Sequence, residues 1–242
     1  MNHGIYIAAA GMKSRMEALT VASNNVANAG TVGFKKDRVF FGIFNRVNGS
    51  NLEKALADSA VAEATRTDFG IGPLMRTSNP LNLALAEDGF FTVQTPQGVR
   101  YTRAGEFSLN SRRQMVTPQG FQVLGENGRP IVLPPGPVEV GPQGDVQADG
   151  VVVGRLKIVH FENLSLLRKN GSVLFEALPG AGETRPQRLT VKQGFLERSN
   201  VNPVAGMADA LANMRSFEFL ARALRSLSNE VDKKAIDEVG RV

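Results

Sequence analysis

The first 28 residues carry a narrow apolar stripe whose positions repeat with helical spacing. Gaps of four and three residues alternate along it, and its members are Ile5, Ala9, Met12, Met16, Leu19 and Val26, with Ser23 at the intervening place. This period predicts one α-helix that packs along a single face. Because Asn and Gly readily adopt the left-handed conformation that ends helices, we expect the helix to end near residues 28–30.

A longer stripe occupies the C-terminal part of the chain. Asn202 is suited to cap a helix, and Pro203 is suited to its first position, where no backbone N–H is needed. The stripe consists of Met207, Leu211, Met214, Phe217, Leu220 or Ala221, Leu224, Leu227 and Val231. It drifts near Phe217, where two gaps of three follow each other. The pattern predicts a helix of roughly 30 residues.

Between the two helices the pattern changes to that of β-strands. Gly, Pro, Asn and Asp recur at turns, and the apolar or alternating runs between them are residues 90–93, 99–101, 107–109, 121–124, 131–133, 138–140, 151–153, 156–161, 173–175 and 189–191. Short strands at this spacing predict a compact all-β domain. Residues 51–64 are consistent with a short helix and residues 68–73 with a loop.

The predicted fold class is therefore α+β, with long terminal helices flanking a central all-β domain. We divide the chain into an N-terminal helix (1–34), an irregular connecting region (35–77), the β domain (78–198) and a C-terminal helix (199–242), the two helices forming one inner helical domain. Two arrangements satisfy the stripes: the helices pack on each other within one chain, or they pair and bundle with neighbouring subunits. The second accounts better for the narrow stripes, since an isolated helix pair buries little apolar area.

Composition and charge exclude several classes of function. The chain has 242 residues and no Cys, so disulfides and Cys-based zinc sites are ruled out. The net charge is +5, but the basic residues are scattered, which argues against nucleic-acid binding. No apolar run approaches the ~20 residues of a membrane span. The start of the chain lacks the basic region of a signal peptide, so we expect no cleaved signal.

Candidate chemistry is sparse. The phosphate-binding, dinucleotide-binding and nucleophile-elbow motifs are all absent from the sequence. His160 lies within a predicted strand, where a single His is more often a hydrogen-bonded structural residue. Asp145 and Asp149 are spaced loosely like a calcium loop but lack its other ligands, so we interpret them as turn residues. We predict no catalytic residue, no cofactor, no metal site and no small-molecule substrate.

Three motifs in order resemble the signatures of flagellar rod and hook proteins. They are A-G…L…S-N-N-V-A-N…T…G-F-K in residues 10–35, N-P-L-N-L-A-L…G-F-F…Y-T-R-A-G-E-F in residues 79–107, and G-F-L-E-R-S-N-V-N-P in residues 194–203. Together they cover most of the chain. The sequence departs from the family pattern at Asn82, where Asp is usual, and at Arg113, where a turn glycine is common.

Within this family the opening M-N-H-G-I-Y and the short middle region favour the proximal-rod type. The resemblance implies a subunit exported unfolded by the flagellar type III export apparatus. With copies of itself and other rod proteins, it would polymerise helically into the torque-transmitting shaft that crosses the periplasm. The alternatives are a distal-rod or hook-type subunit of the same family or, from a different class, an autonomous β-domain binding module such as an adhesin.

The two stripes and the asparagine amides of the first motif define the predicted subunit interface. Asn24 and Asn28 fall away from the N-terminal stripe and Asn25 lies at its flank, where amides can bond adjacent subunits. The alternative role for these residues is to terminate the helix. The predicted interface residues are Ile5, Met12, Met16, Leu19, Asn24, Asn25, Val26, Asn28, Met207, Leu211, Met214, Phe217, Leu224, Leu227 and Val231.

Overall fold

The computed structural model describes residues 2–42 and 62–239, with side chains for residues 9–40, 65–226 and 229. The chain separates into two compact units. The helical unit comprises Met1–Ala27, Asp37–Arg66 and Asn202–Val242, and the β unit comprises Asn28–Lys36 and Thr67–Val201. The chain therefore passes between the units at four peptide bonds, after residues 27, 36, 66 and 201.

Two long helices dominate the helical unit. Helix α1 is Asn2–Ala27 and helix α2 is Pro203–Val239, and a two-stranded sheet of β1 (Asp37–Gly42) and β2 (Ala62–Thr67) accompanies them. The α+β prediction of terminal helices flanking a sheet-rich middle is confirmed. Helix α2 has 37 residues, more than predicted. The short helix considered for residues 51–64 lies mostly outside the described residues, and residues 62–64 belong to β2.

The N-terminus of α2 shows the predicted capping. The Asn202 Oδ1 atom accepts hydrogen bonds from the backbone amides of Val204 and Ala205, each at 3.1 Å. Pro203 occupies the first helical position, where its missing N–H leaves no bond unmade. The start of α2 is thus determined by residues within one helical turn.

The β unit consists of short strands. They are β3 (Leu74–Arg76), β4 (Leu83–Leu85), β5 (Phe90–Thr95), β6 (Gly98–Thr102), β7 (Ser108–Leu109), β8 (Met115–Val116), β9 (Gln122–Val123), β10 (Val138–Val140), β11 (Asp145–Ala148), β12 (Val151–Arg155), β13 (Ile158–Phe161), β14 (Leu167–Asn170), β15 (Leu174–Ala177), β16 (Glu183–Thr184), β17 (Val191–Gln193) and β18 (Phe195–Glu197). A 3₁₀ turn at Leu164–Leu166 precedes β14.

Strand β5 is the centre of the largest sheet. The order is β14-β15-β6-β5-β9-β8-β7, and β13 also pairs with β5 and with β16. Strands β10, β11 and β12 form a three-stranded sheet. The last strands return to the first, since β17 pairs with β4 and β18 pairs with β3, both antiparallel.

Residues 131–133 do not form the predicted strand. Only an isolated bridge between Gln114 and Val132 occurs there, although Ile131 and Leu133 are buried. The physical reason lies in Pro130 and Pro134 at the two ends of the run. Proline has no N–H to donate, so a ladder cannot extend through either end.

Strand β5 contributes to a separate hydrophobic core on each of its two faces. Successive strand residues point to opposite sides, so Phe90 and Phe91 enter different clusters. On one side Phe90 packs edge-on against Phe175 at 5.7 Å between ring centroids. On the other side Phe91 packs edge-on against Phe107 at 5.2 Å, within the larger aliphatic core. An apolar run without alternation is the expected pattern for a strand buried on two sides.

Arg113 keeps the turn conformation although it stands where a turn glycine is common. Its φ of 56° lies in the left-handed region, which costs a non-glycine residue about 1–2 kcal/mol. Its guanidinium donates to the carbonyl oxygens of Leu133 at 2.6 Å and Pro134 at 2.7 Å. These two bonds offset the backbone cost and attach the turn to the neighbouring loop.

Candidate assembly surface and a buried ion cluster

The positions considered for chemistry lie in a strand pairing, in an ion pair and in a turn. His160 lies opposite Thr184 in the β13–β16 pairing. The Asp145 carboxylate accepts from Arg155 Nε at 2.7 Å, and Asp149 has the positive φ of a tight turn. In the described part of the chain, no group of His, Asp and Glu side chains is placed to hold a metal ion. Among the helices of the described residues, none has the length and hydropathy that a membrane span requires.

Helix α2 presents an apolar stripe to solvent over its first half. Val204, Met207, Leu211 and Met214 are 76%, 53%, 56% and 47% exposed. Their gaps of three, four and three residues place them on one side of the helix, as in a coiled-coil seam. We call these four residues the outer seam. Contiguous exposed apolar patches are a common feature of protein–protein interaction sites.

The second half of the stripe turns toward α1. Phe217, Leu220 and Leu224 are half-buried, and a Leu220 methyl lies 3.3 Å from where a Cβ on Gly11 would be. The absence of a side chain at Gly11 thus permits close approach of the two helices. The drift of the stripe near Phe217 marks this change from the outer seam to the face that packs on α1. The predicted single stripe is therefore two faces of one helix.

The predicted residues of α1 are divided in the same way. Met16 is exposed, whereas Met12, Leu19 and Val26 are half-buried. Arg15 Nη1 donates to Asn213 Oδ1 on α2 at 3.4 Å. The other predicted apolar residues have side chains outside the described part of the structure; they are Ile5, Leu227 and Val231.

The three asparagines at the end of α1 differ in environment. Asn25 donates from Nδ2 to the Asp37 carbonyl oxygen at 2.8 Å and accepts at Oδ1 from the Asp37 amide at 2.9 Å. Asn25 therefore attaches the start of β1 to the helix end. Asn28 Oδ1 accepts from the Thr31 hydroxyl at 3.2 Å, which fits a helix-terminating role. Asn24 is exposed.

A buried cluster of charges lies within the β unit. Glu197 accepts from Lys35 Nζ at 2.6 Å through Oε1 and from Arg103 Nε at 2.7 Å through Oε2. The exposed fractions of these three side chains are only 1–3%. We call Lys35, Arg103 and Glu197 the Glu197 cluster. Each of these three residues belongs to a different one of the three sequence motifs. The sequence alone did not predict that they meet.

Backbone groups complete the cluster. Two cations face one carboxylate, and backbone carbonyl oxygens accept the remaining hydrogen bonds. Lys35 Nζ donates to the carbonyl oxygen of Gly70. The Arg103 guanidinium donates to the carbonyl oxygens of Leu85, Glu87 and Gly89. Burial lowers the pKa of Lys35 below its ordinary value, and the adjacent Glu197 carboxylate opposes that shift. Satisfying the buried ions with hydrogen bonds is the condition under which such a cluster is stable.

The position of the cluster predicts the behaviour of a fragment. Removing residues 1–30 and 203–242 retains Lys35, Arg103, Glu197 and all strands of the β unit, so we expect a folded, soluble monomer. Light scattering after gel filtration and an amide NMR spectrum would measure this. A fragment that begins at residue 67 is the control, since it lacks Lys35 and should melt at a lower temperature. An unfolded 31–202 fragment would contradict the proposed division of the chain.

Comparison with known families accounts for the same three parts of the sequence. The model of the family described as "Flagella basal body rod protein" matches residues 5–35. "Flagellar hook protein FlgE/F/G D1 domain" matches residues 84–153, and "Flagellar basal body rod FlgEFG protein C-terminal" matches residues 192–237. The first and third matches include most of α1 and α2, and the second lies within the β unit.

Curated relatives align over the whole chain. The flagellar basal-body rod protein FlgF of Caulobacter vibrioides is 32% identical, with 100% of each chain covered. FlgF of Salmonella typhimurium is 32% identical over 94% of each chain, and the rod protein FlgG of Bacillus subtilis is 31% identical over 98% of this chain and 99% of its own. The resemblance found from the motifs is confirmed. The chain belongs to the flagellar basal-body rod protein family and is of the FlgF type.

Proposed function

We propose that this chain is a structural subunit of the proximal part of the flagellar basal-body rod. Through its terminal helices it polymerises helically into the axial shaft that crosses the periplasm and transmits torque. The observation that carries the proposal is the outer seam, an exposed coiled-coil-like row on a helix that is already paired with α1. The names of the full-length relatives support a structural role in the rod.

The outer seam and the exposed parts of α1 are the proposed contacts between subunits. Met207, Leu211 and Met214 contribute apolar surface, and Met16 and Asn24 extend the surface on α1. Fully burying one such apolar side chain contributes about 1.5–3 kcal/mol. Because every subunit in a helical lattice repeats the same contacts, a modest seam suffices for a stable polymer.

The other predicted interface residues have supporting roles in this scheme. Phe217, Leu224, Met12, Leu19 and Val26 hold α1 against α2 and present their remaining exposed edges to neighbours. Ile5, Leu227 and Val231 stay predicted interface residues on the strength of the sequence pattern. Asn25 and Asn28 support the backbone at the end of α1 through their bonds to Asp37 and Thr31.

The proposed partners are other copies of the chain, the other rod proteins and the flagellar type III export apparatus. The chain has no proposed cofactor or substrate, because the family consists of structural proteins. Its proximal position rests on its FlgF type, and a distal-rod or hook-type position is the alternative.

A strain without this chain tests the proposal. We expect loss of swimming and basal bodies arrested before hook formation, because later axial proteins have no rod to extend. Motility in soft agar and electron microscopy of purified basal bodies would measure both. Restoring the intact gene should restore motility, and mass spectrometry of basal bodies should detect the chain. A deletion strain with normal flagella would refute the proposal and favour an autonomous binding module.

A further inference from the structure

Three segments of the β unit adjoin the four points at which the chain passes to the helical unit. We call residues 28–36, 67–73 and 197–201 the connecting segments. Their backbones are hydrogen-bonded to one another: the Gly33 amide donates to the Glu197 carbonyl oxygen at 2.8 Å, and the Arg198 amide donates to that of Pro73 at 2.9 Å. The connecting segments therefore form one small structure although they are distant in sequence.

Asn200 and Asp68 add further bonds between the same segments. Asn200 Oδ1 accepts from the Lys36 amide at 2.7 Å, and Asn200 Nδ2 donates to the Asp68 carbonyl oxygen at 2.8 Å. The Asp68 amide in turn donates to the Lys36 carbonyl oxygen at 2.8 Å. Each connecting segment is thus bonded to both of the others.

The Glu197 carboxylate lies at the centre of this structure. Its Oε1 atom accepts from Lys35 in the first segment at 2.6 Å and from the Gly72 amide in the second at 2.8 Å. Glu197 itself begins the third segment. Arg103 joins the carboxylate to the strands of the β unit at 2.7 Å. Undocking any one segment would leave a buried charge or amide without its partner, which is unfavourable.

Two glycines bring the backbones into direct contact. A Cβ added to Gly72 would lie 2.0 Å from the Arg198 carbonyl oxygen, and one added to Gly33 would lie 2.3 Å from the Ala104 amide nitrogen. Gly33 also has a φ of 69°, which L side chains rarely adopt. Gly72 thus brings the backbones of the second and third segments into direct contact, and Gly33 brings the first segment against the backbone at Ala104.

We propose that the Glu197 cluster makes the three connecting segments dock and release as one cooperative unit. A break in one segment then opens the others, because they share one carboxylate. All four chain connections to the helical unit begin at this structure. On the proposed function in the rod, load that the polypeptide chain carries between the two units therefore passes through one cooperative element rather than through four independent connections.

Amide hydrogen exchange of the full chain tests this cooperativity. The reporting amides are those of Gly33, Lys36, Gly72 and Arg198, each hydrogen-bonded between segments. As the denaturant concentration is raised toward the unfolding transition, we expect the opening free energies of these four amides to converge on one common line. Opening free energies that follow a different line against denaturant concentration for each segment would overturn the proposal. This measurement uses the unaltered chain, so it does not depend on any variant folding.

The substitution Gly72→Ala perturbs the contact between the second and third segments, and no atom of the first segment is among the nearest neighbours of the added Cβ. We expect the amide exchange rates of Gly33 and Lys36, in the first segment, to rise by about 10- to 100-fold, together with that of Arg198. The reason is that overpacking of this size destabilises the packed structure around the substituted residue. Gly141→Ala is the matched control, because Gly141, like Gly72, has no positive φ, but a Cβ added to it would meet no atom closer than 3.7 Å. It should leave these amides unchanged.

A rise at Arg198 without a rise at Gly33 and Lys36 would show independent docking and overturn the proposal. An equal rise throughout the strands of the β unit would overturn it as well, since the segments would then open only with global unfolding. Both measurements are made on the free chain. Their failure would leave the proposed role in the rod intact, whereas normal flagella in a deletion strain would remove that role without affecting cooperative docking.

Discussion

Replacing Leu211 with Gln is expected to prevent incorporation of the chain into basal bodies while leaving the free chain folded. Leu211 is 56% exposed, and substitutions at exposed positions usually change the free energy of unfolding by no more than about 0.5 kcal/mol. In the proposed assembly the same side chain is buried against a neighbour at every subunit, where an amide would lack a partner. The effect on polymerisation is therefore repeated along the whole rod.

Complementation of a deletion strain measures this effect. Leu211→Gln should fail to restore swimming, and the chain should be missing from purified basal bodies. Arg215→Gln, at an exposed position one turn later on the same helix, is the control and should restore both. Thermal unfolding followed by circular dichroism should be the same for the two variants. If Leu211→Gln restored swimming, the outer seam would not be the contact between subunits.

Glu197→Gln is expected to destabilise the β unit more than any substitution of a surface charge. It leaves the Lys35 and Arg103 cations buried without their counter-ion while preserving the size of the side chain. Removing one partner of a buried ion pair costs about 3–5 kcal/mol. Urea unfolding of the purified chain would measure the change as a lower transition midpoint.

A control and a second variant make that measurement specific. Glu126→Gln removes a carboxylate that pairs with Arg185 at the surface, and it should leave the midpoint unchanged because exposed pairs contribute little. Adding Lys35→Met to Glu197→Gln should recover part of the loss, since one of the two unpaired cations is then removed. A midpoint in Glu197→Gln equal to that of the unaltered chain would show that the cluster does not hold the β unit together.

The sequence predicted the elements whose determinants are close together along the chain. The stripe of α1 and the cap at Asn202 depend on residues within a few helical turns, and both were predicted. The run at residues 90–93 predicted β5, since a strand buried on both faces lacks alternation; Phe90, Phe91 and Val93 are buried, and so is Thr92 between them. Strand β11 was missed because its Asp-Val-Gln-Ala sequence is short and half polar, and its pairing with β10 and β12 decides its conformation.

The faces of α2 and the Glu197 cluster were decided by tertiary structure. Helical period showed that α2 has apolar residues, but packing against α1 decided that Leu220 is half-buried while Leu211 is exposed. Lys35 and Glu197 are 162 positions apart, so no local pattern pairs them. Sequence by itself determined the helices, the turns and the family, because these depend on local conformational preference and on motif order. Which charges meet, and which apolar face stays exposed, depends on contacts that exist only after the chain has folded.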